Sequence, residues 1–211
     1  MYKRQSLYRE LGYDPVRDFT PIGLVAAAPM LLTINPAVPA RTLAEFIAHA
    51  RANPGKLSFG SSGNGGASHL ALELFKSLTG VDILHVPYRG TAPLATDLLA
   101  GRISGYFDVP ITAAPNVEAG KVRALAVAFE RRSSRLPDVP TFAEAGLAAY
   151  AFSTWLGVLA PAGLPAPVLA RMSQDLLAAV RSADFVEWCK NIGVAPTLAS
   201  SSVTASKSGP T

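Results

Sequence analysis

Apolar residues along this chain recur in two spacings, three to four residues apart or in short unbroken runs, and the change from one to the other repeats. Thr42-Leu43-Ala44-Glu45 is a capping box, with Leu43, Phe46, Ile47 and Ala50 on one helical face before Asn53-Pro54-Gly55 ends the helix. Residues 56–59 predict a strand, and a glycine-rich loop follows it. Ala71, Leu74, Phe75 and Leu78 form the next apolar face, which stops at Gly80. Residues 81–86 predict a second strand. Pro87-Tyr88-Arg89-Gly90 is a loop, and Thr91 and Pro93 open a helix through Leu94, Leu98 and Leu99 that Gly101 closes. A third strand is expected at 103–107, a short helix from Pro110 to Gly120, and a valine-, leucine- and alanine-rich strand at 122–129.

The repeated strand-loop-helix unit predicts an α/β fold, because right-handed crossovers return each helix to the face of a parallel sheet. Apolar runs around Pro21, Pro29 and Pro36 predict extended chain over 19–35. The polar segment 130–138 interrupts the rhythm, and 155–160 resumes it as another buried strand. Pro165 and Pro167 then open a long helix with Leu169, Met172, Leu176 and Val180 on its inner face. Residues 196–211 are mostly Ser, Thr, Ala, Gly and Pro, and predict a disordered tail.

The segment Phe59-Gly60-Ser61-Ser62-Gly63-Asn64-Gly65-Gly66-Ala67-Ser68-His69 carries the clearest chemistry. The first N–H groups of a helix have no intrahelical partner and form the positive end of its dipole, and glycines let an anion approach them closely. Ser61, Ser62, Asn64 and Ser68 add neutral donors. No Lys-Ser or Lys-Thr follows the last glycine, which excludes a nucleoside-triphosphate P-loop. In an open parallel sheet, ligands sit outside the carboxyl ends of the strands. The loops at 61–68, 87–92 and 108–112 each leave such an end, so they are expected to line one pocket. In that pocket Tyr88 and Asp108 reach the rest of the ligand, Asp108 suiting a hydroxyl, an ammonium or a bound water.

The duller readings stay open beside these. Asp108 can simply cap the helix after it; Arg89 can be a solvated loop charge; His69 and His85 lack metal-ligand spacing with each other or with His49 and can be structural. Arg131, Arg132 and Arg135 form the densest basic cluster, of the kind that is usually solvated.

A formal charge of +4 with scattered Lys and Arg gives only a modest attraction for anions and no nucleic-acid footprint. The single cysteine, Cys189, cannot form an internal disulfide or supply a metal cluster. The apolar run 22–34 is too short to span a bilayer and is broken by Pro29. Met1-Tyr2-Lys3-Arg4 opens a polar segment without the apolar stretch of a secretory signal. Gly60-Ser61-Ser62-Gly63-Asn64 has Asn where a nucleophile elbow needs its last glycine, so a hydrolase is not supported. Gly63-Asn64-Gly65-Gly66-Ala67-Ser68 approaches a dinucleotide fingerprint, with Asp82 roughly 20 residues on. A nucleotide-dependent α/β enzyme using the glycine loop is therefore the alternative function. No cofactor and no metal are expected otherwise.

Several stretches occur together in one order: Tyr13-Asp14-Pro15 with Asp18-Phe19, Asn53-Pro54-Gly55-Lys56-Leu57, Ser61-Ser62-Gly63-Asn64-Gly65, His85-Val86-Pro87-Tyr88-Arg89-Gly90, Leu136-Pro137-Asp138-Val139-Pro140-Thr141, Glu144-Ala145-Gly146 and Ala160-Pro161-Ala162-Gly163. In this order the chain resembles the substrate-binding proteins of tripartite tricarboxylate transporters, the Bug family of extracytoplasmic solute receptors. The resemblance covers about residues 7–195. It implies a two-lobed, periplasmic-binding-protein-like α/β fold with parallel-rich sheets flanked by helices, which closes around a small carboxylate and delivers it to membrane permease subunits. The protein is then a periplasmic receptor and not an enzyme, and is expected to be a monomer. Its ligand would be a di- or tricarboxylate, an aromatic acid or an acidic amino acid.

By resemblance, the ligand site takes Ser61, Ser62, Gly63, Asn64, Gly65, Gly66, Ser68 and His69 from the glycine loop, with Tyr88, Arg89, Gly90 and Asp108. The family begins with a signal peptide and a strand-loop-helix unit whose own glycine-rich loop forms an opposing jaw, and this chain starts after them. The expectation is a truncated copy with the first lobe incomplete: residues 1–40 and 154–195 as its remnant, residues 41–153 as the second lobe, and weak binding.

Overall fold

The computed structural model describes residues 12–197. The polar start at Met1 and the tail beyond Thr197 lie outside the described residues. The chain divides into two compact units: one takes the residues up to Ala27 with those from Trp155 on, and the other is Ala28–Thr154. Residues 28–40, assigned by sequence to the first lobe, pack in the second of these units.

The Ala28–Thr154 unit is built on the second half of β1 (Phe19–Ile34) and on α1 (Leu43–Ala52), β2 (Ser58–Ser61), α2 (Ala67–Thr79), β3 (Leu84–Pro87), α3 (Thr91–Leu99), β4 (Gly105–Asp108), α4 (Pro110–Glu118) and β5 (Arg123–Ala128). Its strand order is β3-β2-β4-β1-β5. β2 pairs in parallel with β3 and β4, whereas β1 is antiparallel to both β4 and β5. The sheet is parallel-rich, as expected, with one reversal: β2 to β5 run one way, and β1 is inserted against them. Residues 30–34 of β1 are buried throughout, as a central strand covered on both faces requires.

Alternating residues of these strands face two layers of helices. Leu32, Ile34, Phe59, Phe107, Ala126 and Ala128 share a cluster with Leu43 and Phe46 of α1 and with Leu72 and Phe75 of α2. Leu31 and Val127 face Ala113 and Ala114 of α4, while Tyr106 packs with Leu94 and Leu98 of α3. The larger cluster is aromatic at its centre, with Phe142 and Tyr150 stacked at 4.1 Å between ring centroids. The Tyr150 hydroxyl donates to the Ala71 carbonyl at 2.9 Å.

The capping box forms with one shift. Thr42 Oγ1 accepts from Glu45 N at 3.2 Å, but Glu45 Oε2 accepts from Arg41 N at 2.7 Å, one residue ahead of the cap. The buried face of α2 is Ser68, Ala71, Leu72, Phe75 and Thr79, so Leu78, expected inside, is exposed and Leu72 takes its place. The polar segment 130–138 is not simply solvated, because Arg132 pairs with Glu144 at 2.9 Å and Arg135 with Glu118 at 3.0 Å.

The other unit holds the first half of β1 with β6 (Ser153–Pro161, from Trp155 on), α5 (Ala166–Arg181), α6 (Ala183–Ile192) and β7 (Ala195–Pro196). β7 pairs antiparallel with Ala26 and Ala27, and Thr197 N donates to the Val25 carbonyl at 3.1 Å. Residues 196 and 197, expected in the tail, are thus held by backbone hydrogen bonds. The buried strand expected at 155–160 is also corrected: Trp155 is 51% and Leu156 54% exposed. On α5 only Val180 of the expected inner face is buried, Leu169 and Leu176 are half-buried, and Met172 is exposed. α6 was not foreseen, although Ser182 Oγ accepts from Phe185 N at its start and Gly193 ends it.

A candidate anion site at the carboxyl edge of the sheet

Because β2, β3 and β4 run in one direction, the loops that leave them gather at one edge of the sheet. A cavity of about 140 Å³ opens there, lined by Met30, Ser62, Ala67, Ser68, Thr91, Leu94, Tyr106, Phe107, Asp108, Val109, Thr112 and Thr154. None of these is a Lys or Arg. Its walls are apolar side chains, hydroxyls and one carboxyl group, so any attraction for an anion must come from neutral dipoles.

Three helices start at this cavity and supply those dipoles. α2 begins at Ala67, α3 at Thr91 and α4 beside Val109, and all three positions line it. None has a side-chain cap: their N-cap residues are Gly66, Gly90 and Val109. α1, by contrast, is capped by Thr42. Uncapped first turns present the positive end of the helix dipole and, at α2 and α3, unpartnered N–H donors; α4 opens on Pro110, which has no N–H, and its Thr112 N donates to the Val109 carbonyl at 3.1 Å. Two donor-bearing helix starts and the dipole of a third thus converge on one cavity whose lining holds no cationic side chain.

The glycine loop is tied down from within. Gly65 has a φ of +70°, which a residue with a Cβ rarely adopts. Its N–H donates to Nδ1 of His69 at 2.9 Å. Ser61, fully buried, places its hydroxyl 2.6 Å from Nε2 of His85 and accepts from Gly63 N at 3.3 Å. Ser68 Oγ accepts from Ser62 N at 3.1 Å and lies 3.5 Å from Ser62 Oγ, so the two hydroxyls share one edge of the cavity.

The twelve residues expected at the site fall into three groups. Ser62, Ser68 and Asp108 line the cavity. Ser61, Gly63, Gly65, Gly66 and His69 shape the loop behind it, and Asn64 is exposed at its tip. Tyr88 turns away: its hydroxyl donates to Asp97 Oδ2 at 2.8 Å, and Arg102 pairs with the other oxygen of that carboxylate at 2.8 Å. These two partners hold the Asp97 carboxyl below its usual range. Arg89 is exposed, and Gly90 serves as the N-cap of α3.

Asp108 is 5% exposed, and each of its oxygens accepts a hydrogen bond from the protein. Tyr106 Oη donates to its Oδ2, and Thr112 Oγ1 and Val109 N donate to its Oδ1. Burial pushes its carboxyl above the usual range, against the pull of these donors. Burial and the adjacent carboxyl also push the Tyr106 phenol up, so it keeps its proton and remains a donor. Thr112 and Tyr106 escaped the reading of the sequence as site residues, yet both carry a signal. Tyr106 lies two residues before Asp108 on the same side of a strand, and Thr112 lies four after it, one turn into α4. Thr154, whose hydroxyl donates to the Ala28 carbonyl at 3.2 Å, had none.

Asp82, the acid of the dinucleotide alternative, sits at the opposite end of the strands. Its carbonyl accepts from Gly55 N ahead of β2, whereas the glycine loop follows β2. A ribose partner belongs at the carboxyl end, so the fingerprint reading fails.

Over residues 1–206 the sequence matches the TctC family, described as the tripartite tricarboxylate transporter family receptor. The chain belongs to this receptor family. A relative from Pseudomonas sp. strain P51, the UPF0065 protein of the tcbD-tcbE intergenic region, is 40% identical over 188 residues, 89% of this chain and 56% of the relative. Protein BugT of Bordetella pertussis is 31% identical over 194 residues, 92% of this chain and 60% of BugT. This receptor chain thus spans somewhat over half the length of these relatives. Among solved structures, R. palustris Rpa4515 with adipate superposes with a TM-score of 0.85 at 38% identity, over 92% of this chain and 65% of that one. MatC (Rpa3494) from Rhodopseudomonas palustris with bound malate gives 0.80 at 31% identity, over 92% and 66%. These likenesses bear out the expected receptor family and its α/β fold.

Proposed function

We propose that this chain is the ligand-holding part of a solute receptor that captures a small carboxylate for a tripartite tricarboxylate-type membrane transporter. One observation carries the reading: three uncapped helix N-termini meet, with the Ser62 and Ser68 hydroxyls, at one cavity without cationic side chains. Neutral dipoles of this kind hold a carboxylate reversibly, which suits capture and release. Two similar structures, Rpa4515 with adipate and MatC with bound malate, support a dicarboxylate as the ligand class.

One ligand carboxylate sits between the starts of α2 and α3, taking donors from Ser62, Ser68 and the loop amides. Asp108, at the start of α4, faces a hydroxyl, an ammonium or a water on the rest of the ligand; a second carboxylate placed against it would be repelled. The two compact units correspond to the two lobes of the receptor, and permease subunits are the partners. The chain works as a monomer in the periplasm, by its family, and performs no chemistry on its ligand. Titration calorimetry with adipate, malate, an aromatic acid and an acidic amino acid tests this. A saturable heat with at least one acid, lost in a Ser62→Ala/Ser68→Ala variant, is expected; silence across the panel would overturn the reading.

A further inference from the structure

The rings of His69 and His85 lie face to face, 3.8 Å between centroids and 7° from parallel. Neither lines the cavity, yet both bond the loop that forms one wall of it. We propose that this stacked pair positions the glycine loop for its anion, and that the Gly65 side of the loop is let go when His69 takes up a proton. The idea rests on the loop's role proposed above, but its test needs no ligand.

Geometry fixes the first half. A backbone N–H is only a donor, so the 2.9 Å bond from Gly65 N requires Nδ1 of His69 to be unprotonated, which leaves the proton on Nε2. That Nε2 lies 3.7 Å from Glu73 Oε1, itself paired with Lys76 at 3.0 Å. His69 is the third residue of α2, so its ring reaches back over the helix start much as the acid of a capping box does. His85 on β3 holds the other end: its Nε2 meets Ser61 Oγ at 2.6 Å, and that hydroxyl also meets the carbonyl and N–H of Gly63. The two rings therefore anchor Gly63 and Gly65, on either side of the loop's tip.

Protonation undoes the His69 anchor directly, whereas Ser61 Oγ can still accept from an imidazolium Nε2 of His85 while it donates to the Gly63 carbonyl. A proton on Nδ1 of His69 turns the acceptor into a donor pointed at the Gly65 N–H, and the bond cannot persist. Two imidazolium rings at stacking distance repel each other; of the charged groups facing them on α2, Glu73, 3.7 Å from His69 Nε2, favours the protonated rings and Lys76 opposes them. Desolvation, then the neighbouring His69, hold His85 below the usual histidine range, so the neutral stack is the form that the fold favours.

The experiment is an NMR titration of the ligand-free chain from pH 8 to pH 5, following the two imidazoles and the Gly63 and Gly65 amides. The Gly65 amide should move with the His69 midpoint, and its exchange protection, corrected for intrinsic rate, should fall about fivefold, as loss of one hydrogen bond implies. His69→Gln, whose side-chain oxygen can accept the same bond without titrating, should keep the protection and lose its pH dependence. His69→Leu should show the low-pH behaviour at pH 8. A Gly65 amide that stays fixed while His69 titrates, or a His69→Leu loop identical to wild type, would overturn the proposal. If the loop switches but no acid binds, the receptor reading fails and this one stands.

Discussion

Replacing Gly105 by alanine tests how tightly the wall of the site is built. Gly105 opens β4, the strand that ends at Asp108 and leads into α4. A Cβ there would lie 2.5 Å from the Thr33 carbonyl oxygen and 2.7 and 2.9 Å from Cζ and Cε1 of Phe59. Ordinary contact begins near 3.4 Å, so the carbonyl must retreat by about 0.9 Å and the ring by about 0.7 Å. Neither has room. Thr33 belongs to central β1, locked to β4 by the Ile34–Gly105 and Thr33–Tyr106 pairs, and Phe59 is fully buried among Phe46 and Phe107. Overpacking costs about 1–3 kcal/mol when side chains can adjust, and with backbone on one side the upper end, about 3 kcal/mol, is expected. Gly60→Ala is the internal comparison. Its Cβ would meet Ile103 Cδ1 at 2.8 Å and Cδ1 and Cγ of Leu94 at 3.0 Å, side-chain atoms and no backbone, so about 1–2 kcal/mol is expected. Urea unfolding followed by far-ultraviolet circular dichroism measures both. A Gly105→Ala protein within about 0.5 kcal/mol of wild type, or less destabilised than Gly60→Ala, would refute the reasoning.

Asp108→Asn removes a charge that burial opposes while keeping an acceptor for Thr112 and Val109. Since the folded carboxyl lies above 3.8, wild type is at its best relative to this variant below 3.8 and loses ground as pH rises through the folded value. Thermal unfolding should therefore find the variant more stable at pH 7 and the gap closed at acid pH; a gap independent of pH contradicts this. Tyr150→Phe deletes only the buried hydroxyl bond to the Ala71 carbonyl, and denaturant unfolding should register a loss of about 1 kcal/mol, with no loss counting against that bond.

The part of the fold legible in the sequence is the part governed by local rules. Thr42 caps α1, Gly80 ends α2 in the left-handed conformation, and the turns after β2, β3 and β4 meet at one edge because a crossover helix forces neighbouring strands to run alike. What was not legible depends on partners distant in sequence. The extended chain expected over 19–35 forms as β1, but its partners were not readable: Ala27 pairs with Ala195 and Met30 with Ala128, with Pro29 between them. A proline there interrupts neither ladder. The run from Trp155 reads as buried because it is apolar without alternation, but burial needs a layer on each face, and β6 shows most of its side chains to solvent. In the site, the glycine loop was visible as sequence, whereas the turn of Tyr88 toward Asp97 follows from α3 lying against that loop, which no spacing encodes.

The most direct test of the account is an amide NMR titration of the chain with malate and adipate. The proposed site requires saturable shifts confined to the starts of three helices: Ser62 to Ser68, Thr91, and Val109 to Thr112. Absence of saturable shifts, or shifts centred on any other part of the chain, would contradict it.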